Sequence, residues 1–216
     1  MTAWLYRLVI CATMMVIIAP SVQAKENEVR IAVIGDSYSA PVEMDVNKTW
    51  PEVLERQMNL NKKGKVYNIT NFSRPNDTSS SALNQLSTVI RSKPKVAIVA
   101  LGGTDIEHNL DPNITRNSLA QMLQLLRNHG IYVMLVSFQA PKSAPLSYTM
   151  RFVDTYIDMS EQYKAYFVED LLKGLDTDWQ NRQFDNPYPS EQGMAHIARR
   201  MALPLETMLR GAGYVR

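Results

Sequence analysis

Four polar clusters carry residue types that could run acyl chemistry. Ser37 lies in Gly35-Asp36-Ser37-Tyr38-Ser39, on a tight turn directly after an apolar run. A nucleophilic serine needs a base to take its proton and N–H donors to hold the oxyanion that forms. The other clusters are Asn71-Phe72-Ser73 with Asn76-Asp77-Thr78, then Leu101-Gly102-Gly103-Thr104-Asp105, and last Asp185-Asn186-Pro187-Tyr188-Pro189. A serine on such a turn is by itself as readily a cap for the next helix. The signal lies in the four clusters together, in this order and at these spacings.

The segments between them must place these clusters. Short apolar runs occur at Val29–Ile34, Lys65–Ile69, Val96–Leu101, Ile131–Phe138 and, more weakly, Tyr166–Val168. Continuous apolar runs of this length read as strands buried on both faces. A helix is predicted over Pro112–Asn128, where Leu119, Met122, Leu123 and Leu126 share a face. Asp111 is its N-cap, Pro112 its first residue and Gly130 its stop. Another starts at Ser190 with Met194, Ile197, Ala198 and Met201 on one face, and Pro204 should kink or end it. Strand and helix alternating about five times give an α/β fold, a doubly wound and about five-stranded parallel sheet flanked by helices. Sites in such folds lie beyond the carboxyl ends of the strands, where the four clusters fall.

Over essentially the whole mature chain this pattern resembles the SGNH, or GDSL, hydrolases, and within them the periplasmic thioesterase, lysophospholipase and arylesterase group. The resemblance implies a flavodoxin-like three-layer fold, with the serine of Gly-Asp-Ser as nucleophile. It also implies an Asp-x-x-His pair near the C-terminus as acid and base. A glycine in the second block and an asparagine in the third complete the oxyanion hole. Trp50-Pro51 fits the group's usual helix start. Carried over, Ser37 is the nucleophile and one oxyanion donor through its backbone N–H, and Asp185 is the acid.

Three positions depart from the pattern: Asn76 stands for the glycine, Thr104 for the asparagine and Tyr188 for the histidine. Asn76 is the mildest change, since its backbone N–H can still donate and asparagine tolerates a left-handed backbone. Thr104 has lost the amide, and one such donor is worth about 10²–10³ in rate. Tyr188 decides the matter, because a phenol is protonated at neutral pH and cannot take the serine proton. Of His108, His129 and His196, only His108 lies next to a cluster, and it is the candidate substitute base. It reads first as an exposed loop histidine, ahead of that role. His129 suits the C-terminal end of a helix and His196 the edge of an apolar face.

Other chemistry finds no support. There is no HExxH, no glycine-rich phosphate loop and no Gly-x-Ser-x-Gly elbow, so no cofactor is expected. Asp36, Asp105 and Asp185 could meet around a cation, but Asp36 and Asp105 are better read as ties to loop N–H groups. Met122, Met194 and Met201 fill the core. Lys62-Lys63 and Arg199-Arg200 read as solvated surface.

The chain has 216 residues, 23 Lys+Arg against 21 Asp+Glu, and 45% apolar residues, enough for one domain with a sizeable core. So small a net charge speaks against nucleic acid as partner. At the front, Arg7 precedes the apolar run Leu8–Ile18, Pro20 and Val22-Gln23-Ala24. This reads as a signal peptide cleaved after Ala24, since the run is short of the roughly 20 residues of a membrane span. Residues 25–216 then form a single domain, exported to the periplasm or beyond, without stable membrane insertion. Cys11 is the only cysteine and leaves with the signal peptide, so disulfides and thiolate metal sites are not expected. The expected partner is an acyl, lipid or glycan ester, or an unidentified protein, bound by an esterase-like protein whose turnover is impaired. The alternative is an active ester or thioester hydrolase that uses Ser37 with a non-standard base.

Overall fold

The structure is a computed structural model that describes residues 27–60, 65–175, 183 and 186–214. The stretch expected to be a signal peptide, the Lys62-Lys63 pair and Asp185 lie outside these residues. Five strands form one sheet: β1 (Glu28–Gly35), β2 (Val66–Asn71), β3 (Val96–Ala100), β4 (Tyr132–Val136) and β5 (Tyr166–Val168). Their order is β2-β1-β3-β4-β5, and every pairing is parallel. All residues of β3 are buried, as an all-apolar central strand requires, whereas the edge strand β2 alternates buried Tyr67 and Ile69 with exposed neighbours. Six α-helices are described: α1 (Trp50–Asn59), α2 (Leu86–Arg91), α3 (Gly103–Glu107), α4 (Pro112–Asn128), α5 (Leu146–Tyr163) and α6 (Glu191–Gly211). Helix α1 packs on α6, and α4 on α5, which makes a three-layer α/β fold.

Helix α4 starts and stops where its sequence says. The Asp111 side chain accepts the Asn113 N–H at 2.9 Å, and Gly130 takes the left-handed φ of 68° that ends the run. Helix α6 begins as predicted, with Ser190 Oγ accepting the Gly193 N–H at 3.2 Å. It does not end at Pro204, however; it runs on to Gly211 with proline inside. An interior proline costs about 3 kcal/mol. Beyond it Leu205, Met208 and Leu209 are buried, each burial contributing about 1.5–3 kcal/mol, so the core side of the ledger wins.

Two strands are displaced slightly from the apolar runs. The second reaches on to Asn71, and the fourth stops at Val136, short of Phe138. The chain reverses between β1 and β3 in the strand order, and the crevice at that switch point is where the polar clusters gather.

Candidate active site

The turn after β1 is built on Asp36. Its backbone carbonyl accepts the N–H groups of Ser39 and Ala40, both at 3.0 Å, so the chain folds back at once after Gly35. Its carboxylate accepts four more backbone N–H groups: Tyr38 at 3.0 Å, Gly102 at 3.2 Å, Gly103 at 2.8 Å and Thr104 at 3.3 Å. One buried side chain thus ties the Ser37 turn to the loop after β3. Burial pushes this carboxyl up to about 7, against the pull of those donors and with a smaller rise from the nearby Asp105 charge. Ser39 locks the far side of the turn, accepting Trp50 Nε1–H on its Oγ and Asn71 Nδ2–H on its carbonyl, both at 3.0 Å.

Ser37 is fully buried, and its Oγ accepts the backbone N–H of Asn76 at 2.8 Å. Asn76 holds φ at 63°, a left-handed conformation that asparagine adopts more readily than most residues. The loop that carries Asn76 thus lies against Ser37, with its backbone N–H aimed at the Ser37 hydroxyl. Thr104 is also fully buried in the first turn of α3, and its hydroxyl has no partner among the described residues. The loop before it depends on glycine twice. Gly102 has φ at 125°, and a Cβ on Gly103 would sit 2.4 Å from the Tyr38 ring.

Asp105 is spent on structure: it accepts the Ser79 N–H at 2.8 Å, Ser79 Oγ–H at 2.5 Å and Thr115 Oγ1–H at 2.7 Å. Among the described residues no group of three or more His, Asp or Glu side chains is placed to hold a metal ion.

Tyr188 comes to the same crevice. Its ring meets that of Tyr38 edge-on, with centroids 5.2 Å apart, and Tyr38 in turn tilts against Phe138 at 5.5 Å. Asn186 fixes the Tyr188 backbone by accepting its N–H at 3.0 Å. His108 caps α3, is exposed, and gives its backbone N–H to the Thr104 carbonyl at 3.0 Å. His129 contacts the Leu125 carbonyl through Nδ1 at 2.8 Å, and His196 the Lys173 carbonyl through Nε2 at 3.2 Å. Both side chains are thus engaged with carbonyls outside the four clusters.

Tyr38, Phe138 and Glu107 were not singled out by sequence reasoning. The Tyr38 hydroxyl donates to Glu107 Oε1 at 2.7 Å, and burial, with that carboxylate beside it, raises the phenol above its ordinary range. A cleft of about 660 Å³ opens here, lined by Tyr38, Gly103, Ile106, Glu107, Phe138 and Lys142 among others. The available signal was position alone, since Tyr38 follows Ser37 and Glu107 follows the third block.

Comparison with known proteins bears on this arrangement. Esterase TesA of Pseudomonas aeruginosa is 30% identical over 146 residues, which is 67% of this chain and 72% of that protein. An Escherichia coli protein named for thioesterase, protease and lysophospholipase activities is 25% identical over 184 residues, 83% of this chain and 84% of its own. The crystal structure of TesA superposes with a TM-score of 0.77 at 26% identity, covering 83% of this chain and 99% of that one. The stretch that begins inside β1 and closes inside α6, residues 33–196, matches a family model along its length, and the chain belongs to the GDSL-like lipase/acylhydrolase family.

Proposed function

We propose that the mature chain is an exported binding protein on a hydrolase scaffold. It holds an acyl, lipid or glycan ester, or a protein partner, in a cleft whose turnover is largely lost. The observation that carries this reading is Tyr188, a phenol at the base position, with its ring packed edge-on against Tyr38. Losing the base of a comparable serine hydrolase costs about 10⁶ in kcat. Thr104 at the amide position removes a further factor of about 10²–10³. Relatives named as esterase and thioesterase support an ester as the class of ligand. Export rests on the apolar run Leu8–Ile18 and the small residues before Lys25. Among the described residues no helix is long and apolar enough to cross a membrane.

A second reading has one observation in its favour. The Asn76 N–H still donates to Ser37 Oγ, so one donor of the hydrolytic arrangement is intact. In that reading the chain is an ester or thioester hydrolase in which Ser37 attacks and Asp185 acts through a water or through His108.

Hydrolysis of short and medium p-nitrophenyl esters by residues 25–216 separates the two, with Ser37→Ala, His108→Ala and Tyr188→His run beside the parent. The expected result is a parent no faster than Ser37→Ala. A parent well above Ser37→Ala overturns the binding-protein reading, and a loss on His108→Ala then identifies the base.

A further inference from the structure

A hollow lies at the opposite end of the sheet from Ser37. It has a volume of about 690 Å³ and sits where β4 and β5 begin and α4, α5 and α6 end. The length of β4, roughly 13 Å, separates it from the polar clusters. Its size is ordinary for a small-molecule site, which runs from about 300 to 1,000 Å³. Ile131, Val133, Ala165 and Met208 give it apolar walls.

Its charge is of one sign. Arg127 and Lys164 are the charged residues that line it, and among the described residues neither pairs with a carboxylate. A cation at a helix C-terminus is commonly explained by the helix dipole. Here three of the last four carbonyls of α5 are already taken. Ser160 accepts the Ala165 N–H at 2.9 Å, Glu161 accepts the Lys164 N–H at 3.4 Å, and Tyr163 accepts from the Arg127 guanidinium. The Lys164 ammonium is left over.

A second hollow of about 360 Å³ adjoins the first, and Arg127 and Tyr163 line both. Its remaining lining is amide: Gln124, Asn128 and Gln162. An apolar chamber therefore meets a polar one, with two cations near the junction that, among the described residues, no carboxylate neutralises.

We propose that this is a binding site for a single-chain amphiphile with an anionic head, of which a medium-chain carboxylate is the simplest case. The chain lies along Ile131, Val133 and Met208, and the head faces Lys164 and Arg127. The site is separate from the Ser37 cleft and does not depend on whether that cleft turns over.

The test is calorimetric titration of the purified protein with decanoate below its micelle concentration, beside decanol and decyltrimethylammonium. A diazirine-bearing decanoate is then photolysed on the protein and the label mapped by mass spectrometry. We expect about one equivalent of decanoate bound in preference to the alcohol and the cation. Label should fall on 131–133, 163–166 and 207–212. Lys164 is exposed, so Lys164→Gln should fold normally and bind about tenfold more weakly, and Lys164→Glu more weakly still. No binding, equal binding of the three amphiphiles, unchanged affinity in both variants, or label on 103–109 and 138–142 would each overturn the proposal.

Discussion

The backbone N–H of Asn76 lies 2.8 Å from the Oγ of Ser37 and donates to it, across 39 positions of sequence. The contact uses the main chain, so the residue at 76 matters for its conformation more than for its amide. With φ at 63°, Asn76→Gly should keep the contact and leave stability within about 0.5 kcal/mol. Asn76→Val should lose about 1–2 kcal/mol, since a β-branched side chain crowds left-handed backbone and lacks the short polar group that lets asparagine adopt it. Urea unfolding of both variants checks this, and equal stabilities would mean the left-handed turn is not held.

On the proposed reading of an impaired cleft, placing the family's residues at 188 and 104 should raise activity in steps. Tyr188→His alone supplies a base but leaves Thr104, whose buried hydroxyl has no partner among the described residues. The double variant Tyr188→His/Thr104→Asn should hydrolyse p-nitrophenyl acetate faster than Tyr188→His by a factor of about 10². Initial rates decide it, with thermal melts run alongside because Tyr188 also packs on Tyr38. A double variant no faster than the Ser37→Ala background would place the defect elsewhere in the cleft.

The strands and the order of the clusters were legible because buried parallel strands are written as plain apolar runs, and β3 is fully buried. Helix α5 was not, because its buried face mixes Phe152 and Tyr156 with Thr155 and Ser160, and that face gives no clean apolar stripe. Pro204 misled for the opposite reason: a strong local signal was outweighed by packing beyond it. At the site, Asp36 and Asp105 were readable as loop ties, since short carboxylates beside turns seek N–H groups. The Tyr38–Glu107 bond was not readable, because it joins residues 69 apart through side chains that carry no motif.

That bond gives a modest prediction. Tyr38→Phe keeps the ring against Phe138 and Tyr188 and removes only the hydroxyl. It should cost about 1 kcal/mol in urea unfolding, the net worth of an ordinary hydrogen bond. A loss above about 3 kcal/mol would show that the hydroxyl does more than meet Glu107.

Pro204 offers a gain. Its ring occupies the interior of α6 without an N–H to give to the preceding turn. Pro204→Ala should raise stability by about 1–3 kcal/mol, read as a higher Tm. An unchanged or lower Tm would mean that the helix is already adapted to the proline and the packing of Leu205 depends on it.

Asp36 should make stability depend on pH in a definite direction. Burial lifts its carboxyl from 3.8 to about 7 in the folded protein. Between those values the folded chain holds a proton that the unfolded chain has released, so folding takes up protons and stability falls as pH rises. The contribution is full below about pH 4 and lost as pH climbs through about 7, with an amplitude of at most about 4 kcal/mol. Asp36→Asn fixes a neutral side chain in the same place, although its NH₂ cannot accept all the N–H groups that the carboxylate does. Thermal melts of parent and variant from pH 4 to 8 isolate the effect, because the other carboxylates are common to both. The parent's advantage should shrink steadily over this range. A constant difference would mean that Asp36 is ionised throughout, with its four N–H donors outweighing burial.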